Sequence, residues 1–208
     1  MNRRVVVLDY GSGNVRSAVR MLERVGADVT LTAQPDAVAR ADGLYVPGVG
    51  NFHACMNGLR AVDGPRLIRD RIGVGAPVLG VCVGMQVLFE GSAEETEGAP
   101  QPGLGVWSGE IHRLRAQVVP HMGWSQVEPA PGSDLFDGLD QERFYFVHSF
   151  AADEAPTRSG GRPMATWSRH GDTFLAAVED GALAATQFHP EKSGDAGAEL
   201  LTRWLRQL

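Results

Sequence analysis

Cys82 ends an apolar run that starts at Val78, and glycines flank it two residues away on each side, at Gly80 and Gly84. A nucleophile on a sharp turn between a strand and a helix stands above the sheet, where a substrate reaches it. Small neighbours relieve the crowding that so tight a turn creates. A helix opening at Val83 would also favour thiolate over thiol. On Gly-x-Cys-x-Gly alone, an activated cysteine and a small buried residue among turn glycines carry comparable weight. A thiol nucleophile needs a base, so the other titratable groups decide. Of the six histidines (53, 112, 121, 148, 170 and 189), only His189 follows a parallel-type strand pattern and precedes Pro190 and Glu191. Proline pushes the residue before it toward extended backbone, so side chains 189 and 191 can share one side. Glu191 can then accept a hydrogen bond from one ring nitrogen while the other faces sulfur, and the carboxylate fixes the tautomer. His-Pro-Glu by itself is weak, since Glu191 could be an ordinary exposed acid; joined to the cysteine turn it is much stronger.

Acyl chemistry at a thiolate also requires donors for a developing oxyanion. The N–H of Val83, next after the cysteine, is one. A second could come from the loop Pro47-Gly48-Val49-Gly50-Asn51, where glycines free the backbone to aim an amide. Taken alone, that stretch is an ordinary glycine-rich loop. The remaining histidines lack the paired spacing of a metal site, so no metal and no cofactor is expected.

The elements that must position these groups alternate through the first half. Residues 4–10, 28–32, 43–48 and 76–82 read as strands. The stretch from Asn14 to Gly26 and a region around residues 53 to 72 read as helices, and a helical pattern runs from Val83 to Glu90. Repeated strand-helix-strand units predict a parallel sheet flanked by helices. From about residue 93 a Gly-, Pro- and Glu-rich loop gives way to short aromatic and β-branched segments, read as antiparallel strands, with a turn at Glu179-Asp180-Gly181. Asp195 to Leu208 reads as a closing amphipathic helix with Ala198, Leu201, Trp204, Leu205 and Leu208 on its apolar stripe. The expected fold is therefore α/β, a mixed, mainly parallel central sheet with an antiparallel-rich C-terminal half, in one domain spanning residues 1–208.

Composition narrows the function. A formal charge of −6 with no basic stripe argues against nucleic acid as a partner. No apolar segment reaches membrane-spanning length, and the short run after Arg3 and Arg4 meets Asp9 before it could serve as a signal-peptide core. Two cysteines are too few for a disulfide framework, and Cys55 reads as a small buried helix residue. These features point to the cytoplasm.

With these residues assembled, the chain resembles the class I (triad-type) glutamine amidotransferases, and among them the glutaminase subunits of imidazole glycerol phosphate synthase. The resemblance covers essentially the whole length. It rests on DYGSGN, PGVGNF, GVCVGMQVLFEGS, PHMGW, FYFVHSF and FHPEKS, in the family's order. It implies that Cys82 attacks the side-chain amide of glutamine, that His189 protonates the departing ammonia, and that water releases glutamate from the thioester. It further implies that Gln86, Glu94 and the Ser149-Phe150 backbone hold the amino-acid end of glutamine. Two positions depart from the family pattern: Ser125 stands where Asn is usual and Phe150 where Tyr is usual.

Ammonia released into neutral water becomes mostly ammonium and loses its nucleophilicity, so productive transfer needs a dry route to an acceptor. The chain has no spare length for an acceptor site, and a partner is expected. The resemblance identifies it as a (β/α)8-barrel cyclase subunit, the two forming a heterodimer in histidine biosynthesis. Asn14, Pro120, His121, Met122, Gly123, Trp124 and Lys192 lie beside motif residues and form the expected docking surface. For Met122 and Trp124 plain core packing is an equal alternative. Three other readings compete. A dinucleotide-binding module at DYGSGNVRS lacks the third glycine, where Arg16 stands, and the acid that would grip a ribose. A free-standing cysteine hydrolase would act without a partner. A scaffold with a dead site is disfavoured because every triad member is present.

Overall fold

The segments Gly43–Val46, Val78–Val81 and Leu183–Thr186 are buried at every residue, as strands covered on both faces must be. In the computed structural model, which describes residues 2–12 and 14–208, they are neighbours in one sheet; Gly13 of the DYGSGN motif lies outside the described residues. In chain order the first strands are β1 (Arg4–Leu8), β2 (Asp28–Thr32), β3 (Gly43–Val46) and β4 (Val78–Val81). Between them lie helices α1 (Val15–Arg24), α2 (Pro35–Arg40), α3 (Phe52–Ala61) and α4 (Gly64–Gly73). Then follow α5 (Val83–Gln86), β5 (Gly91–Ser92), β6 (Glu110–Arg113), β7 (His121–Gln126), β8 (Arg143–His148) and β9 (Phe150–Ala151). The chain closes with β10 (Met164–His170), β11 (Asp172–Asp180), β12 (Leu183–Thr186) and α6 (Gly194–Arg206).

The main sheet runs β10-β11-β12-β4-β3-β1-β2. The five strands from β12 to β2 pair in parallel, and β11 and β10 extend the sheet antiparallel beyond β12. Strands β7 and β8 form a separate antiparallel ribbon, and β5, β6 and β9 a small third sheet. Helix α1 packs with α6, while α2 and α3 each pack on α4. No helix among the described residues is long and apolar enough to cross a membrane.

Local departures from the sequence reading have identifiable causes. The single helix expected around residues 53 to 72 is two, broken where Asp63 adopts φ 56° ψ 23°. The helix expected to reach Glu90 stops at Gln86, because the carbonyls of Val87, Leu88, Phe89 and Glu90 accept from the amides of residues 103 to 107 instead of continuing the turn. On α6 the buried stripe is Ala196, Gly197, Leu200, Leu201, Trp204 and Leu205, with Ala198 only partly covered.

Candidate active site

Strands β3, β4 and β12 lie side by side and parallel, so their C-terminal ends deliver three groups to one edge of the sheet. Cys82 follows β4 directly. It takes φ 56° ψ −114°, one of two non-glycine positive-φ residues among those described, a conformation that costs on the order of 1–3 kcal/mol and persists only when its surroundings enforce it. Enforcement comes from β12, where the Thr186 carbonyl accepts the Cys82 N–H at 2.7 Å. The strain therefore falls on the cysteine itself, and neither flanking glycine has positive φ. Those glycines serve close approach: a Cβ on Gly80 would stand 2.6 Å from the Gly84 carbonyl oxygen, and one on Gly84 only 2.0 Å from that of Val46.

His189 lies three residues beyond β12, in extended backbone at φ −98° ψ 98°, and Pro190 opens a 3₁₀ turn that brings Glu191 back beside it. Its Nδ1 is 2.7 Å from Glu191 Oε1, and the two side chains are only 2% and 4% exposed. The second carboxylate oxygen accepts from the Tyr45 hydroxyl of β3 at 3.2 Å. Burial by itself would lower the His189 pKa, but the Cys82 sulfur and the Glu191 carboxylate outweigh it and lift the ring to about 9. Nε2 is buried without a partner of hydrogen-bonding geometry, so the sulfur's influence on the ring is that of a close neighbour and not of a formed bond.

Cys82, Val83, Gln86, Glu94, Ser149, Phe150, His189, Val49 and Gly50 line one cavity of about 560 Å³, together with Asn14, Pro120 and Lys192. Gln86 is tethered, its Nε2 donating to the Phe150 carbonyl and to Gln187 Oε1, each at 2.9 Å. Glu94 Oε2 accepts the Phe52 N–H at 2.7 Å. Asn51 caps α3 through its side chain, which accepts from the amides of His53 and Ala54.

Two of the expected oxyanion donors, Val83 and Val49 of the Gly48 to Asn51 loop, are engaged. The Val83 N–H points to the Gly48 carbonyl at 3.3 Å, and the Val49 N–H to Ser12 Oγ at 3.5 Å. Gly48 can lie so close only for want of a side chain, since a Cβ there would meet Gly84 N at 2.4 Å.

On the ribbon, alternation splits the expected docking residues. Met122 and Trp124 are 64% and 51% exposed, which sets aside core packing for both. His121 departs from the expected surface: it is 4% exposed and turned inward, stacked between His170 and Phe146. Gly123 sits between the two exposed residues with φ 148°.

Three residues escaped the sequence reading. Tyr45 and Gln187 touch the candidate triad, and Ser12 holds the loop that carries Gly48. For Gln187 the signal was its place two residues before His189. Tyr45 lay within an apolar run and gave none. Among the described residues no group of three or more His, Cys, Asp or Glu is placed to hold a metal ion.

A strained thiol at a strand-to-helix turn, with a histidine and a carboxylate at the end of the adjacent strand, suits acyl transfer from an amide. The chain belongs to the class I glutamine amidotransferases, whose family model, glutamine amidotransferase class-I, matches residues 6–208. It is 59% identical over 210 residues to the imidazole glycerol phosphate synthase subunit HisH of Mycolicibacterium paratuberculosis, covering 100% of this chain and 99% of that protein. It is 61% identical over 204 residues to the subunit of that name from Mycobacterium bovis, covering 97% and 96%. Within the class it is thus a member of the HisH family, the glutaminase subunits of imidazole glycerol phosphate synthase. The fold is also similar to a crystal structure of a glutamine amidotransferase, with TM-score 0.73 at 21% identity over 98% of this chain and 99% of that one.

Proposed function

We propose that the chain hydrolyses glutamine through Cys82, His189 and Glu191 and passes the ammonia to a (β/α)8-barrel cyclase subunit for imidazole glycerol phosphate synthesis. The observation that supports this reading is the His189 ring held between the Glu191 carboxylate and the Cys82 sulfur at the wall of the cavity. The sulfur attacks the side-chain amide carbon of glutamine and the carbonyl oxygen takes negative charge. His189, charged at neutral pH, gives its proton to the departing ammonia, and then draws one from the water that cleaves the thioester. Gln86, Glu94 and the Ser149-Phe150 segment hold the amino-acid end.

The oxyanion site is closed by the chain itself, because the Gly48 carbonyl occupies the Val83 donor. Turning the Gly48–Val49 peptide would free Val83 and aim the Val49 N–H at the same space. We propose that substrate on the partner drives this turn. Met122, Trp124, Pro120, Asn14 and Lys192 form the docking face around the cavity, and His121 supports it from behind. The chain acts as one domain in the cytoplasm, where Cys55 and Cys82 stay reduced.

Cys82→Ala in the reconstituted complex tests the assignment. It should abolish glutamine-dependent synthesis and leave synthesis from ammonium salts intact, since the acceptor chemistry lies on the other subunit. Retained use of glutamine would show the nucleophile to be wrong.

A further inference from the structure

The Phe150 carbonyl accepts two hydrogen bonds, from His148 Nδ1 at 3.0 Å and from Gln86 Nε2 at 2.9 Å. A carbonyl oxygen cannot donate, so this one atom sets the direction of everything joined to it. On one side, His148 must carry its proton on Nδ1. Burial first, with the nearby His121, His170 and His189, holds its pKa near 3 against the pull of the Phe150 carbonyl, so the ring is neutral and Nε2 is bare. His121, held near 4 by burial and by His170, is neutral too. It therefore donates from Nδ1 to His148 Nε2 at 3.1 Å and accepts at Nε2 from Ser125 Oγ at 2.9 Å. On the other side, Gln86 must turn its NH₂ toward Phe150. Its second hydrogen goes to Gln187 Oε1 at 2.9 Å, which leaves Gln187 Nε2 facing Cys82 Sγ at 3.6 Å.

Gln187 is 1% exposed, and the sulfur is the one partner of its NH₂ among the described residues. A hydrogen bond to the charged form of a group favours that form, and a buried amide has nothing else to exchange it for. We infer that Gln187 is a further residue of the reaction centre, donating to the Cys82 sulfur, and that the line of bonds from Ser125 through His121, His148, Phe150 and Gln86, whose directions converge on the Phe150 carbonyl, holds it there. The line begins on β7, the strand that exposes Met122 and Trp124, so displacement of that strand reaches the sulfur through bonds of defined direction. This rests on Cys82 being the nucleophile.

Alkylation of Cys82 by iodoacetamide at about pH 6, followed peptide by peptide with mass spectrometry, tests the inference without glutamine. Gln187→Met keeps the bulk and removes the donor. With one donor to the sulfur lost, Cys82 alkylation should be about threefold slower. Cys55, 1% exposed, reports folding in the same sample, because it reacts only if the core opens. Should Gln187→Met open the core, Gln187→Leu, which is also uncharged and carries no donor, is read in the same way. Ser125→Ala, at the far end, should slow Cys82 about twofold in the wild-type background and change nothing further in the Gln187→Met background. Wild-type reactivity of Cys82 in the Gln187 variants, or Ser125 and Gln187 effects that multiply, would overturn the inference. Loss of glutamine use in Cys82→Ala alongside such a result would leave the nucleophile assignment standing.

Discussion

Glu191→Gln separates the charge of the third group from its shape. The carboxylate takes one hydrogen bond from His189 Nδ1 at 2.7 Å and another from the Tyr45 hydroxyl at 3.2 Å. Losing a charge-assisted hydrogen bond costs about 1.5–3 kcal/mol, roughly 10- to 150-fold in rate if the whole bond acts in the transition state. A second effect adds to it. Burial, and next Glu191, keep the Tyr45 phenol well above its ordinary pKa, so it remains a donor. That donor would claim the oxygen of the new amide and turn its NH₂ toward Nδ1. The His189 proton would then sit on Nε2, facing the sulfur, where the ring cannot accept from the thiol. We expect glutamine-dependent activity in the complex to fall beyond the upper end of that range, with ammonia-dependent synthesis unchanged. Adding Tyr45→Phe frees the amide to rotate and should recover about tenfold, an effect of the same order as one hydrogen bond to a charged ring. If Glu191→Gln stays within about threefold of wild type, or if Tyr45→Phe brings no recovery in that background, then Glu191 does not fix the tautomer.

His189 is held charged up to about pH 9, so a pH series on the complex should show glutaminase activity falling as the pH rises through 9. The same raised value contributes folding stability that is fully present below about 6.5 and is lost by pH 10, measurable as a larger fall in Tm from about pH 6.5 to pH 10 than His189→Gln shows. Glutaminase rates of the chain alone, with the partner, and with the partner and its substrate should rise in that order, because the Gly48 carbonyl must leave Val83; equal rates would contradict a closed oxyanion site.

The cysteine turn and the His189–Glu191 pair were legible because both are written in near neighbours: glycines two residues either side of Cys82, and Glu191 two residues after His189. The parallel core was legible from the unbroken apolar runs of β3, β4 and β12. What stayed hidden depends on contacts distant in sequence. Helix α2 is six residues long, too short for its spacing to register. Strand β10, at the sheet edge, mixes Met, Trp, Ser, Arg and His with no clean alternation. His121 reads as surface until alternation on β7 is anchored by the exposed Met122 and Trp124. The occupied Val83 donor depends on one peptide's orientation, which residue types do not specify.

Strand β12 completes the sheet late. It hydrogen-bonds to β4 on one side and β11 on the other, and Gln187 meets Cys82 across 105 positions of sequence. A growing chain can pair β1 to β4 and fold their helices long before β12 exists. During that interval β4 carries a bare, wholly apolar edge beside a cysteine with no imidazole near it. Such an edge is a template for wrong pairing, so a chain ending before residue 183 is not a weakened glutaminase. It is an incomplete sheet whose fate is aggregation, and its degradation by the cell's quality control would follow from missing strand pairing before any question of missing chemistry arises.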